Sequence, residues 1–212
     1  MNLQKFFIIG FLIISLFNSQ FYAAPISTLY STIDFPFNQS YINTNQPTIT
    51  GSLLDADRKA VINKTLQILI DGVVVGITAS DDNGTYRFFV EAVIPDGHHE
   101  VAVFCVDSQT ILTSNQFTID TTLPPIIILY PQEDQIIADN TLMVSGTTEE
   151  NAMVITFLDD DTYGSTCYAD EKGSWSIEYI VESGKHTLTA QATDIAGNQG
   201  PISELRRFSI NS

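Results

Sequence analysis

The feature that most constrains this chain is an internal repeat. Residues 170–198 read as a turn, a strand, a second turn, a long strand and a third turn, punctuated at Asp170/Gly173, Gly184 and Asp194/Gly197. The same order occurs earlier, as D-D-N-G-T-Y from Asp81 and D-G-H-H-E-V-A-V-F-C-V-D from Asp96. Equivalences extend along the chain. Pro36 answers Pro131 and Gly51 answers Gly146 at an offset of 95, Asp81 answers Asp170 at 89, Gly97 and Asp107 answer Gly184 and Asp194 at 87, and Phe117 answers Phe208 at 91. The offset drifts only across loops. Extra residues follow Gly51 in the first copy (the stretch with Asp55, Asp57, Arg58 and Lys59) and Asp194 in the second. Strands in register with insertions confined to loops indicate one folding unit used twice.

Each unit reads as β structure. Residues 47–53 form a strand ending near Gly51, and residues 66–71 alternate and reverse at Asp71-Gly72 into residues 73–79, a hairpin signal. Further strands are expected at 86–93, 98–106 and 112–119, whereas residues 27–39 are polar and aromatic, with a loop after Pro36. Seven short, closely spaced strands describe a β-sandwich. Alternation places His99, Val101, Val103 and Cys105 on one inward face, and His186, Leu188, Ala190 and Ala192 on its equivalent. Asp81 and Asp170 suit Asx-type turns, and Tyr86 and Trp175 are placed to cover the end of each core. Asp120-Thr-Thr-Leu-Pro-Pro125 breaks the pattern, and its prolines make a short, stiff linker.

Charge narrows the partners. Lys and Arg total 9 against 25 Asp and Glu, a net charge of −16, so nothing here could neutralise nucleic-acid phosphates. The N-terminus reads as a signal peptide over residues 1–24, with Lys5 before an apolar run at 6–17 and Ala23-Ala24 as the cleavage region. The run is short for a membrane span, so a secreted or envelope location is expected, with no span remaining after cleavage. Cys105 and Cys167 fall at non-equivalent places in different units, and Cys105 is read as a small buried hydrophobe. His99 and His186 are repeat-equivalent, which favours an end-of-core role over catalysis. With no G-x-S-x-G, H-E-x-x-H or phosphate loop in the sequence, no enzyme is expected.

Taken as a set, several motifs resemble the bacterial Ig-like domains strung together in surface adhesins. They are Pro47-Thr-Ile-Thr-Gly51, Ile68-Leu-Ile-Asp-Gly72, Ala169-Asp-Glu-Lys-Gly-Ser-Trp175, Gly184-Lys-His186, Thr193-Asp-Ile-Ala-Gly-Asn198 and the Asp120-Thr-Thr-Leu-Pro124 linker. The first copy departs by carrying Tyr86 for Trp and by lacking A-G-N after Asp107. The resemblance implies an all-β protein of two tandem immunoglobulin-like antiparallel β-sandwich domains, at residues 25–120 and 126–212, joined by the linker 121–125. It implies a structural spacer or adhesion module whose partner is a surface protein or glycan.

Two binding chemistries follow as expectations. Similar adhesin arrays hold Ca²⁺ between adjacent domains. Oxygen ligands are available here in Asp107, Asp120 and the run Asp159-Asp160-Asp161, which are otherwise turn formers and solvated carboxylates. A carbohydrate-binding module is the alternative role, through the loop at 53–63 or through Tyr163 and Tyr168 beside the acidic run. Asn38, Asn63 and Asn83 lie in N-x-S/T sequons, and Asn83-Gly84 is also a turn.

Overall fold

The computed structural model describes residues 28–159 and 161–211, and the expected signal peptide lies outside them. The described residues form sixteen strands in two units. The first unit comprises β1 (Tyr30–Ser31), β2 (Ser40–Ile42), β3 (Thr48–Leu54), β4 (Thr65–Ile70), β5 (Val73–Ala79), β6 (Thr85–Phe89), β7 (Gly97–Cys105) and β8 (Thr110–Ile119). The second repeats the series as β9 (Ile127–Tyr130), β10 (Gln135–Ile137), β11 (Thr141–Thr147), β12 (Met153–Leu158), β13 (Ser165–Tyr168), β14 (Ser174–Ile180), β15 (Gly184–Thr193) and β16 (Arg206–Ile210). Each unit packs a three-stranded sheet, β1-β3-β6 or β9-β11-β14, on a five-stranded one, β2-β8-β7-β4-β5 or β10-β16-β15-β12-β13.

Both units split their first strand, where the sequence showed no strand. β1 pairs with β3 in the small sheet, the chain then passes the cis Phe35–Pro36 bond, and β2 joins the large sheet. Proline has no N–H to continue a ladder, so pairing stops there and resumes on the other layer. β9 and β10 do the same around cis Tyr130–Pro131. The re-entering strand runs parallel to the last one: Ser40 pairs with Phe117 on β8, and Gln135 with Phe208 on β16. All other strand pairs are antiparallel.

Each sandwich has its own core. Ile49, Leu53, Leu66, Ile68, Val101, Val103, Cys105 and Phe117 fill the first, and Leu142, Val144, Val154, Trp175, Leu188, Ala190, Ala192 and Phe208 the second. Cys105 is a fully buried free thiol; Cys167 is free and half-buried, and burial pushes its thiol up from its ordinary value. At the end of each core an aromatic ring lies on a glycine of the facing strand, Tyr86 on Gly51 and Trp175 on Gly146. The Tyr86 hydroxyl donates to the Thr32 carbonyl, and burial pushes its pKa up to about 12. Asp81 and Asp170 each accept two backbone N–H groups within their turns, from Asn83 and Thr85 and from Lys172 and Ser174.

Candidate functional site at the domain junction

The linker is fastened at both ends. Where β8 ends, the Asp120 amide donates to the Ile42 carbonyl at 3.0 Å, and the Thr121 amide and hydroxyl donate to the Asp96 carboxylate. Downstream, the Thr148 hydroxyl donates to the Pro125 carbonyl at 2.6 Å. Gly200 lies flat against the Pro124 carbonyl, where a Cβ would overlap it. These contacts belong to the loops that follow β11 and β15, so one end of the second sandwich faces the last residues of the first.

Asn198 ties the two together. Its Nδ2 donates to the Asp120 carbonyl at 2.7 Å and to Asp194 Oδ2 at 2.8 Å, while its backbone amide donates to Asp194 Oδ1 at 2.8 Å. The D-I-A-G-N stretch after β15 is therefore a turn closed on its own aspartate, with the terminal amide left over to reach the linker. Asp194 is buried, which is tolerable for a carboxylate only with donors supplied.

Beside this contact three carboxylates converge. One oxygen from each of Asp120, Glu149 and Asp194 lies within 4.8 Å of the others. Burial comes first among the causes that hold the Glu149 carboxyl above its usual range, followed by the neighbouring charges of Asp120 and Asp194. Oxygen ligands sit about 2.3–2.6 Å from a bound Ca²⁺. Ligands on opposite sides of the ion are therefore roughly 5 Å apart, and the spacing of this trio fits a hard divalent cation.

The carboxylates singled out in the sequence are distributed over three places. Asp120 is at the junction. Asp107 sits at the far end of β7, roughly 30 Å along the strand from that end, and its carboxylate accepts a bond from Lys64 Nζ at 2.7 Å. Asp159 lies at the distal end of the second sandwich, after β12, where it binds the ring of His186 at 2.8 Å and accepts the Thr187 amide. Asp161 accepts the Tyr163 amide within the same loop, and Asp160 lies outside the described residues. Tyr163 is exposed in that loop, and Tyr168 is exposed at the other end of β13, where it pairs with Met153. In the 53–63 loop, Asp55 accepts the amides of Asp57 and Lys59 and so acts as a turn former. Sequence reasoning missed Glu149 and Asp194 as neighbours of Asp120. The one signal available was the loop inserted after Asp194 in the second copy alone; only the fold brings Glu149 beside it.

Residues 130–210 match the family model for the bacterial Ig-like domain. The second sandwich is a bacterial Ig-like domain. No curated protein matches the sequence. Among solved structures, the fibronectin(III)-like modules of CbhA from Clostridium thermocellum align over 85% of this chain and 94% of theirs, at 14% identity and a TM-score of 0.53. A Ca²⁺-stabilized, ice-binding adhesin of an Antarctic bacterium aligns over 87% of this chain and 49% of that one, at 16% identity and a TM-score of 0.42. A tetra-tandem repeat from the extending region of a large adhesion protein aligns over 87% and 49%, at 19% identity and 0.37. At 14% identity the likeness to the CbhA modules is one of fold. Here the core lies between the sheets and the end loops carry the junction.

Proposed function

We propose that this chain is an extracellular, non-catalytic spacer or adhesion module, in which the junction between the two sandwiches is stiffened by a divalent cation. The observation that supports the reading is the convergence of Asp120, Glu149 and Asp194 beside a linker bonded on both sides. Asp120 belongs to the end of the first unit, whereas Glu149 and Asp194 belong to loops of the second. An ion bound to all three would lower their mutual repulsion and restrict bending at the linker. Among the described residues, no helix is long and apolar enough to cross a membrane. A surface protein or glycan is the partner class such a module would present to, or be presented by.

The test is direct. Small-angle scattering and thermal melting are recorded with Ca²⁺ and with chelator, on the native protein and on D120N/E149Q. Calcium is expected to raise the melting midpoint and narrow the distribution of overall lengths in the native protein, with the doubly substituted protein indifferent. Identical curves with ion and with chelator would remove the cation from the proposal.

A further inference from the structure

Each sandwich contains a histidine whose two ring nitrogens both face acceptors. In the first, His99 Nδ1 is 2.7 Å from Asp71 Oδ2 and Nε2 is 2.8 Å from the Pro95 carbonyl. In the second, His186 Nδ1 is 2.8 Å from Asp159 Oδ2 and Nε2 is 2.9 Å from the Glu182 carbonyl. The rings are largely buried and rest on Phe117 and Phe208, with centroids 5.8 and 5.5 Å apart. The other carboxylate oxygen accepts the amide of Glu100 or Thr187, each at 2.8 Å. The turn that follows β4 or β12 is thereby clasped to the start of β7 or β15.

A neutral imidazole has one N–H and one lone pair, whereas an ionised carboxylate and a backbone carbonyl can only accept. Both bonds of the clasp therefore exist together only in the imidazolium. Loss of the proton sets a lone pair against an oxygen lone pair at one end of the ring, and one of the two bonds is lost. His98 provides the contrast: its Nδ1 meets the Thr118 hydroxyl at 2.8 Å, a group able to donate or accept.

We propose that the two clasps are proton-held latches, each fastening its hairpin turn to the neighbouring strand only while the imidazole is doubly protonated. The module is then tightest in mildly acidic surroundings and loosens as the medium turns alkaline.

The charges around each ring favour this. Asp71 faces His99, with Asp96 in the preceding turn and His98, Glu100 and Tyr41 lining the same cleft. Around His186 stand Asp159 and Glu182. Asp134, Lys185 and Arg207 line its cleft, and Arg207 is itself neutralised by Glu133. Burial alone would lower the basicity of His186, but the Asp159 carboxylate and the Glu182 carbonyl outweigh it and raise the group above its ordinary 6.5. Asp71 is held below 3.8: burial would raise it, and the Glu100 amide and His99 outweigh that. A raised histidine contributes stability that is complete below pH 6.5 and is lost as pH climbs through its folded value. A depressed aspartate contributes stability present above pH 3.8 and lost as pH falls through its own folded value. Both contributions are in place between those limits.

Thermal melting of the whole chain at pH 6.0 and pH 8.5 tests the latch, with H99Q/H186Q as the comparison. The native midpoint is expected to fall by several degrees at the higher pH, and the substituted protein to show little of that fall. An equal fall in both proteins, or none in the native one, would overturn the proposal. Should the substituted protein not fold, imidazole ¹⁵N shifts of the native protein decide the matter. At pH 6.0 both nitrogens of His186 are expected at protonated positions, and a lone-pair nitrogen in that ring would refute the latch.

Discussion

A methyl group added at Gly146 would have to occupy space already held by the Ile127 carbonyl and the Trp175 indole. Gly51 meets the same obstruction from the Thr32 carbonyl and the Tyr86 ring. Neither glycine is there for a left-handed backbone; each is there so that a ring can lie on the strand. Gly146→Ala is accordingly expected to cost the second domain about 1–3 kcal/mol, read as a drop in its melting midpoint by calorimetry. An unchanged midpoint would mean that the indole moves aside without loss. At this scale much was legible in the sequence. Alternation alone put Val101, Val103, Cys105, Leu188, Ala190 and Ala192 inside, and all six are buried. It also placed His99 and His186 at the core's edge, but it could not supply their carboxylate partners. Asp71 lies 28 residues before His99, and Asp159 lies 27 before His186. Only strand pairing brings them together.

Among the elements, the strands with strong alternation and the Asp-Gly reversal between β4 and β5 could be read from the residues. The split first strand could not. β1 and β10 have two and three residues, too few to show a period, and the prolines that divide each strand look like loop formers in isolation. The loop after β15 was visible as an insertion, yet its role depends on what faces it. Asn198 donates across the junction to the Asp120 carbonyl and to the buried Asp194. Asn198→Ala removes both side-chain bonds and leaves Asp194 short of a donor, so a loss of about 1–3 kcal/mol is expected. Its melting midpoint should fall and its scattering curve should indicate a wider range of interdomain angles. A variant that melts lower but keeps the native scattering curve would confine Asn198 to holding its own loop.

For the whole molecule, the duplication carried most of the information. Two copies of one pattern fixed two cores and the order of their strands, while the acidic excess excluded one class of partner without naming another. Which carboxylates gather was not legible, because the strands put Asp107 and Asp159 at the ends of their sandwiches that face away from the junction. The parallel pairing of β2 with β8, and of β10 with β16, has a mechanical consequence. In each unit the strand near the incoming chain and the strand leaving it lie side by side and point the same way. A pull along the chain therefore drags the two past each other, and their bonds must fail together under shear instead of peeling open one at a time. Stretched singly in a force spectrometer, each unit should yield in one abrupt event. Replacing Ile42 and Ile137 by proline, which removes an amide from the side of each short strand that bonds β8 or β16, should lower the rupture force of both. Unfolding in small successive steps at low force would show that the load enters the fold elsewhere.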